Sequence, residues 1–135
     1  MNQVPTAVKT KTQGLIDYRK VVQKMKVSEL VKELNLTVLT DKDFTDKEIK
    51  GCYVGDLLSW VMGRAELGDA WVTIMSNVNI VAVAALVDMA CIILAEGVAV
   101  DKEVIDKANS QGIILLSTDR NSYETAVKIH KTAGI

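Results

Sequence analysis

Few residues in this chain carry the chemistry that catalysis asks for. Its single histidine, His130, stands between Ile129 and Lys131 near the end of the chain. A histidine there interacts favourably with the C-terminal dipole of a helix, and no serine or cysteine partner is suggested nearby. The two cysteines, Cys52 and Cys91, lie far apart inside apolar runs, without CxxC or Cys/His spacing. Reduced cysteine in such runs behaves as a small hydrophobe. Asp41, Asp43, Asp46 and Glu48 form an acidic loop, LTDKDFTDKEI, whose spacing approaches that of a Ca²⁺ loop. It lacks the turn glycine and the closing bidentate glutamate, and Lys42 and Lys47 interleave the acids. A solvated loop is expected, and no metal site is assigned. No GxxxxGK[ST] string is present. GRAELGD, Gly63 to Asp69, spaces two glycines without the Lys-Ser/Thr pair that holds nucleotide phosphates and Mg²⁺. The chain is therefore expected to have no catalytic residue and no cofactor.

Two strand-to-helix turns offer binding chemistry instead. At the first, Asp56 caps the helix LLSWVM, or else presents its carboxylate beside Gly55, where α/β proteins bind ligands. The second is SNVN, Ser76 to Asn79, which follows a strand and opens a helix. Free amides at such a start carry partial positive charge and can receive an anion. Thr73, Ser76, Asn77 and Asn79 add side-chain donors. Gly55, Asp56, Thr73, Ser76, Asn77 and Asn79 thus form the predicted ligand-binding edge. Capping alone is the plainer reading of each turn.

The elements that hold these turns are aliphatic. Apolar residues make up 49% of the 135, yet only one Phe, two Trp and three Tyr are among them. Val, Ile, Leu and Ala must fill the core, as they do in α/β folds with buried parallel strands. A net charge of −1 gives no electrostatic case for nucleic acid or an anionic membrane. The run IVAVAALVDMACIILA is broken by Asp88 and too short to predict a membrane span. MNQVPTAVKTKTQ has no apolar leader segment, so a cytoplasmic protein is expected.

Met1 to about Thr12 reads as a flexible tail. GLIDYRKVVQKM places Leu15, Ile16, Val21, Val22 and Met25 at roughly helical spacing, an added helix. Residues 1–24 are thus a tail or added helix, and 25–135 the domain. Within it Ser28 caps ELVKEL; Leu36 to Thr40 is a strand; Ile49 to Val54 is a second, with Gly51 marking a bulge or close backbone approach. Gly63 closes the LLSWVM helix. GDAWVTIM, CIILA and IILLS are further strands. Between them lie IVAVAALVD, apolar nearly all round, and DKEVIDKANSQ, capped by Asp101 and ended by Gly112. Asn121 with Glu124 opens the last helix, and Gly134 stops it. This alternation predicts a single α/β domain: a mostly parallel sheet of about five strands with flanking helices.

From Met25 to the C-terminus the chain resembles the DRTGG domain family. The stretch matching the family's namesake motif is DKEIKGCYVGDLLS. Asp46 and Gly51 keep the motif; Lys47 stands where Arg is usual, Lys50 where Thr is, and Cys52 where the second Gly is. YVGDLLSWVMG, GDAWVTI, NIVAVAAL and GIILLST resemble the family more closely. The resemblance implies a sheet domain similar to the N-terminal domain of HPr kinase/phosphorylase. It also implies a dimerising regulatory module of the kind found beside CBS domains in pyrophosphatases, or as small proteins near hydrogenase genes. The function expected is a non-catalytic, homodimeric regulatory or sensor domain that binds a small anionic metabolite or nucleotide. Its dimer contact would use the IVAVAALVD or DLLSWVM helix. The alternatives are a phosphotransfer-related accessory enzyme and a passive scaffold in a hydrogenase or redox system. The missing phosphate loop argues against the enzyme.

Overall fold

Short runs of β-branched and aliphatic residues build the sheet of this protein. The computed structural model describes the backbone of residues 7–10 and 14–17, and all of residues 24–135. β1 (Ala7–Thr10) pairs antiparallel with β2 (Gly14–Asp17). Part of the expected tail and part of the expected helix are thus strands. Pairing satisfies backbone groups in a stretch too polar to bury a helical stripe. Val21 and Val22, needed for the helical period, lie outside the described residues.

β3 (Met25–Lys26) pairs antiparallel with β5 (Glu48–Ile49). The main sheet has five strands in the order β4-β9-β8-β7-β6: β4 (Thr37–Val38), β9 (Leu115–Ser117), β8 (Cys91–Leu94), β7 (Asp69–Thr73) and β6 (Gly51–Val54). β6 to β9 are parallel, and β4 runs antiparallel along β9. The predicted strand from Ile49 to Val54 is divided at Lys50, because its two halves pair with different partners. Gly51 is a close approach, as expected: a Cβ there would lie 2.5 Å from Asp69 Oδ1.

Side chains alternate across the sheet, so each strand serves two cores. One contains Ala70, Val72, Cys91, Ile93 and Leu116, covered by α1 (Val27–Leu34) and α5 (Ser122–Ala133). The other contains Trp71, Ile92, Leu94 and Leu115. It is covered by α2 (Leu58–Arg64), α3 (Asn79–Val87) and α4 (Lys102–Gln111). The result is three layers, helices on both faces of one sheet, the architecture that buried parallel strands require. No helix among the described residues is long and apolar enough to cross a membrane.

Several ends form as expected. Asn121 Oδ1 accepts from Glu124 N at 2.8 Å, and Gly112 and Gly134 end their helices with φ of 68° and 71°. Others do not. Gly63 does not close α2, which runs to Arg64; the reversal into β7 uses Gly68, at φ +83°. Ser28 is not the cap of α1 but lies inside its first turn, and Asp46 caps that turn from 18 residues away. Asp46 accepts from the Ser28 amide at 3.1 Å, from the Ser28 hydroxyl, and from Lys47 N at 3.1 Å. The aspartate retained from the family motif is thus a remote helix cap.

Cys52 and Cys91 are both cross-strand partners of Ala70, on either side of β7. Two strand spacings, about 9.5 Å, exceed the reach of a disulfide. Burial, helped by the Asp69 carboxylate, pushes the Cys52 thiol up to about 11. Burial and then Cys52 push Cys91 up to about 12, against the pull of Lys47. Since the thiolate is the reactive form, neither cysteine should react with a thiol reagent at pH 8 in the native protein. Both should react in urea; rapid native-state labelling of either would contradict this packing.

Candidate functional site

The strand-to-helix turns meet the carboxyl edge of the sheet, where parallel register brings the ends of β6 and β7 side by side. Asp56 does not cap α2. Leu57 holds the N-cap position, with no side-chain bond. The Asp56 carboxylate reaches sideways: its Oδ1 accepts from Thr73 Oγ1 at 2.8 Å and from Ile74 N at 2.9 Å. Thr73, fully buried, accepts in turn from Met75 N at 3.1 Å. Gly55 gives its carbonyl to Trp71 Nε1 at 2.9 Å and its amide to Val72 O at 3.2 Å. Gly55, Asp56 and Thr73 are therefore brought together, and internal bonds occupy them.

The second turn is more open. Asn77 Oδ1 accepts from Asn79 N at 2.9 Å, and its main-chain oxygen accepts from Ile80 N at 3.3 Å. Asn77 thus does the capping anticipated for this turn, whereas Asn79 is the first residue of α3. Among the described residues, no protein acceptor meets the amides of Ser76, Asn77 and Val78. The Asp56 carboxylate is bonded two residues before this turn, at the Ile74 amide.

The other residues singled out in the sequence do not assemble into a site. His130 is exposed in the last turn of α5, its Nδ1 2.6 Å from a main-chain oxygen of Ile135. In the acidic loop, Asp46 caps α1, and the Asp41 amide donates to Asn109 Oδ1 at 2.9 Å. Among the described residues no group of three metal-ligating side chains converges.

Two features escaped the sequence reading. A cavity of about 370 Å³ opens beside β9, lined by Asn35, Thr37, Ser117, Thr118, Asp119 and Arg120. The available signal was the polar run STDRNS between an apolar strand and a capped helix. The other is an exposed apolar group: Val54, Leu57, Trp60 and Met62 along β6 and α2, with Ile74 after β7 and Leu86 on α3. Leu86 is 73% exposed and Leu57 60%, and the Arg64 guanidinium lies 3.9 Å from the Trp60 ring centroid. Both helices named as candidate contacts carry part of this group.

Comparison with known proteins agrees with this fold. Among curated proteins none matches the chain. Among solved structures, the CBS and DRTGG domains of the regulatory region of Clostridium perfringens pyrophosphatase, complexed with the activator diadenosine tetraphosphate, are similar. The TM-score is 0.63 at 16% identity, over 76% of this chain and 45% of that one. The chain thus spans less than half of that structure, and the likeness speaks for the fold alone. Residues 29–132 match the family described as the DRTGG domain, the greater part of the sequence. The chain belongs to the DRTGG domain family.

Proposed function

We propose that this protein is a non-catalytic regulatory module that works as a homodimer and responds to a small anionic metabolite, a nucleotide being the first candidate. The exposed apolar group carries the reading. Val54, Leu57, Trp60, Ile74 and Leu86 are large side chains left in water by a sheet whose faces are already covered. Val54, Leu57 and Trp60 follow one another from β6 into α2; exposed apolar patches mark interaction surfaces, and aromatic and Arg side chains are favoured at their centres. Beside it, β6 is an outer strand that pairs only with β7 among the described residues.

The ligand half of the proposal takes support from two facts. The similar pyrophosphatase region is a regulatory region complexed with a nucleotide activator. In this chain the amides of Ser76 to Val78 stand open at the start of α3, with Asn79 beside them.

Light scattering tests the assembly. The unaltered chain should be a dimer at micromolar concentration. Leu57→Glu with Trp60→Glu should shift it to monomer while far-UV circular dichroism stays unchanged. A wild-type monomer at that concentration would remove the dimer. A thermal-shift screen against nucleotides tests the ligand, because whatever binds only the native state raises Tm.

A further inference from the structure

We infer that an oxyanion-bearing metabolite binds in the cavity at the carboxyl end of β9, with Arg120 as its anchor. This rests on the reading above that the module takes a small anionic ligand, and it moves the site away from the Ser76–Asn79 turn.

Topology is the first ground. The helices that follow β6, β7 and β8 all cover one face, whereas α5, which follows β9, covers the other. The connections leaving β8 and β9 therefore diverge to opposite faces. In open α/β sheets ligands bind outside the carboxyl ends of the strands, and β9 ends beside this divergence. The turn after β7 has no such divergence. Here the two connections are clasped, Glu96 N donating to Arg120 O at 2.8 Å and Gly97 N to Thr118 O at 3.0 Å. The clasp leaves the opening on the β4 side.

Chemistry is the second. The cavity of about 370 Å³ is lined by polar residues alone, and its size falls within the range of small-ligand sites. Arg120 Nη1 donates to Leu34 O at 2.6 Å, which fixes the guanidinium at the C-terminus of α1. Among the described residues its Nε and Nη2 have no acceptor and no carboxylate lies within ion-pair distance. An arginine held at one corner with its fork unspent suits bidentate recognition of carboxylate or phosphoryl oxygens. The hydroxyls of Thr37 and Ser117 and the side-chain amide of Asn35 likewise have no protein partner among the described residues, and all line the same space. Asp119, exposed on the rim, would accept from a hydroxyl on the same ligand. The ligand class is therefore a small hydroxylated oxyanion, its acid group either phosphoryl or carboxylate.

Titration of the ¹⁵N-labelled 135-residue chain with AMP and, separately, with citrate decides the matter. Saturable amide shifts at Asn35, Thr37 and Ser117 to Arg120 with either probe are expected, and which probe acts identifies the acid group. Thr37→Val with Ser117→Ala leaves the Arg120–Leu34 bond in place. It should weaken binding about tenfold with little change in Tm. Shifts confined to Ser76–Asn79 would move the ligand back to that turn and overturn this site alone. No saturable shift with either probe overturns this site, while the thermal-shift screen of other nucleotides judges the broader ligand reading separately. Undiminished affinity in the double variant also overturns it.

Discussion

Trp71→Ala is expected to lower the unfolding free energy by about 3–5 kcal/mol, the range for emptying a large aromatic site in a packed core. Trp71 is fully buried in β7 between Tyr53 of β6 and Ile92 of β8. Its ring lies in the core under α2, α3 and α4, and its Nε1 donates to Gly55 O at 2.9 Å. The alanine variant loses both the packing and this tie between the end of β6 and the sheet. Trp71→Phe separates the two. It keeps most of the apolar volume and should cost closer to 1 kcal/mol, mainly for the lost bond. Urea unfolding followed by circular dichroism measures both. Protomer concentration must be held constant, since a dimer's stability depends on it. Equal losses in the two variants would show that the bond, not the volume, matters at this site.

Asp46→Ala is expected to cost about 1–2 kcal/mol at neutral pH, the usual loss for a helix cap. The effect should depend on pH in a fixed direction. Burial alone would raise the Asp46 carboxyl, but the Ser28 hydroxyl and amide, the Lys47 amide and the Lys26 charge outweigh it. They hold the group below its ordinary value. A carboxylate depressed in the folded state binds protons less readily there than in the unfolded chain. Its contribution is present above the unfolded value, about pH 4, and is lost as pH falls through the folded one. Wild type and Asp46→Ala should therefore converge in stability as the pH is taken below about 4. A gap that stays constant from pH 7 to pH 3 would mean that the carboxylate charge plays no part in the cap.

Local pattern was enough to read the alternation of strands and helices from Gly51 to the C-terminus. Each element there is amphipathic or uniformly apolar at its own period, and several helix ends carry a local cap or stop. Asn121 and Glu124 stand three residues apart, and Gly112 and Gly134 follow directly on the helices they end. Such signals act within one turn of backbone, so a sequence displays them. Short connections then required parallel strands, and β6 to β9 are parallel. The family resemblance was legible for the same reason: it rests on contiguous blocks such as YVGDLLSWVMG and GDAWVTI.

Tertiary structure alone decided what depends on distant partners. Lys50 interrupts a run that reads as one strand, because Ile49 finds Met25 while Gly51 finds Asp69. Asp56 sits where a cap belongs, yet a parallel neighbour ending at the same level offers it the Thr73 hydroxyl and the Ile74 amide. Ser28 has the residue type of a cap, but Asp46 takes that role from across the α1–β5 connection. Arg120 joins Leu34 over 86 residues and thereby places a guanidinium in a cavity that no local spacing announces. Periodicity tells which side of an element is apolar. It carries no information on which face of the sheet that element will cover, and here the choice of face at α5 creates the divergence beside β9. The sequence by itself determined the elements and their family, since hydrophobic period, caps and turns are local energies. Which polar groups meet at the edges was decided by strand order and crossover direction, which are properties of the packed chain as a whole.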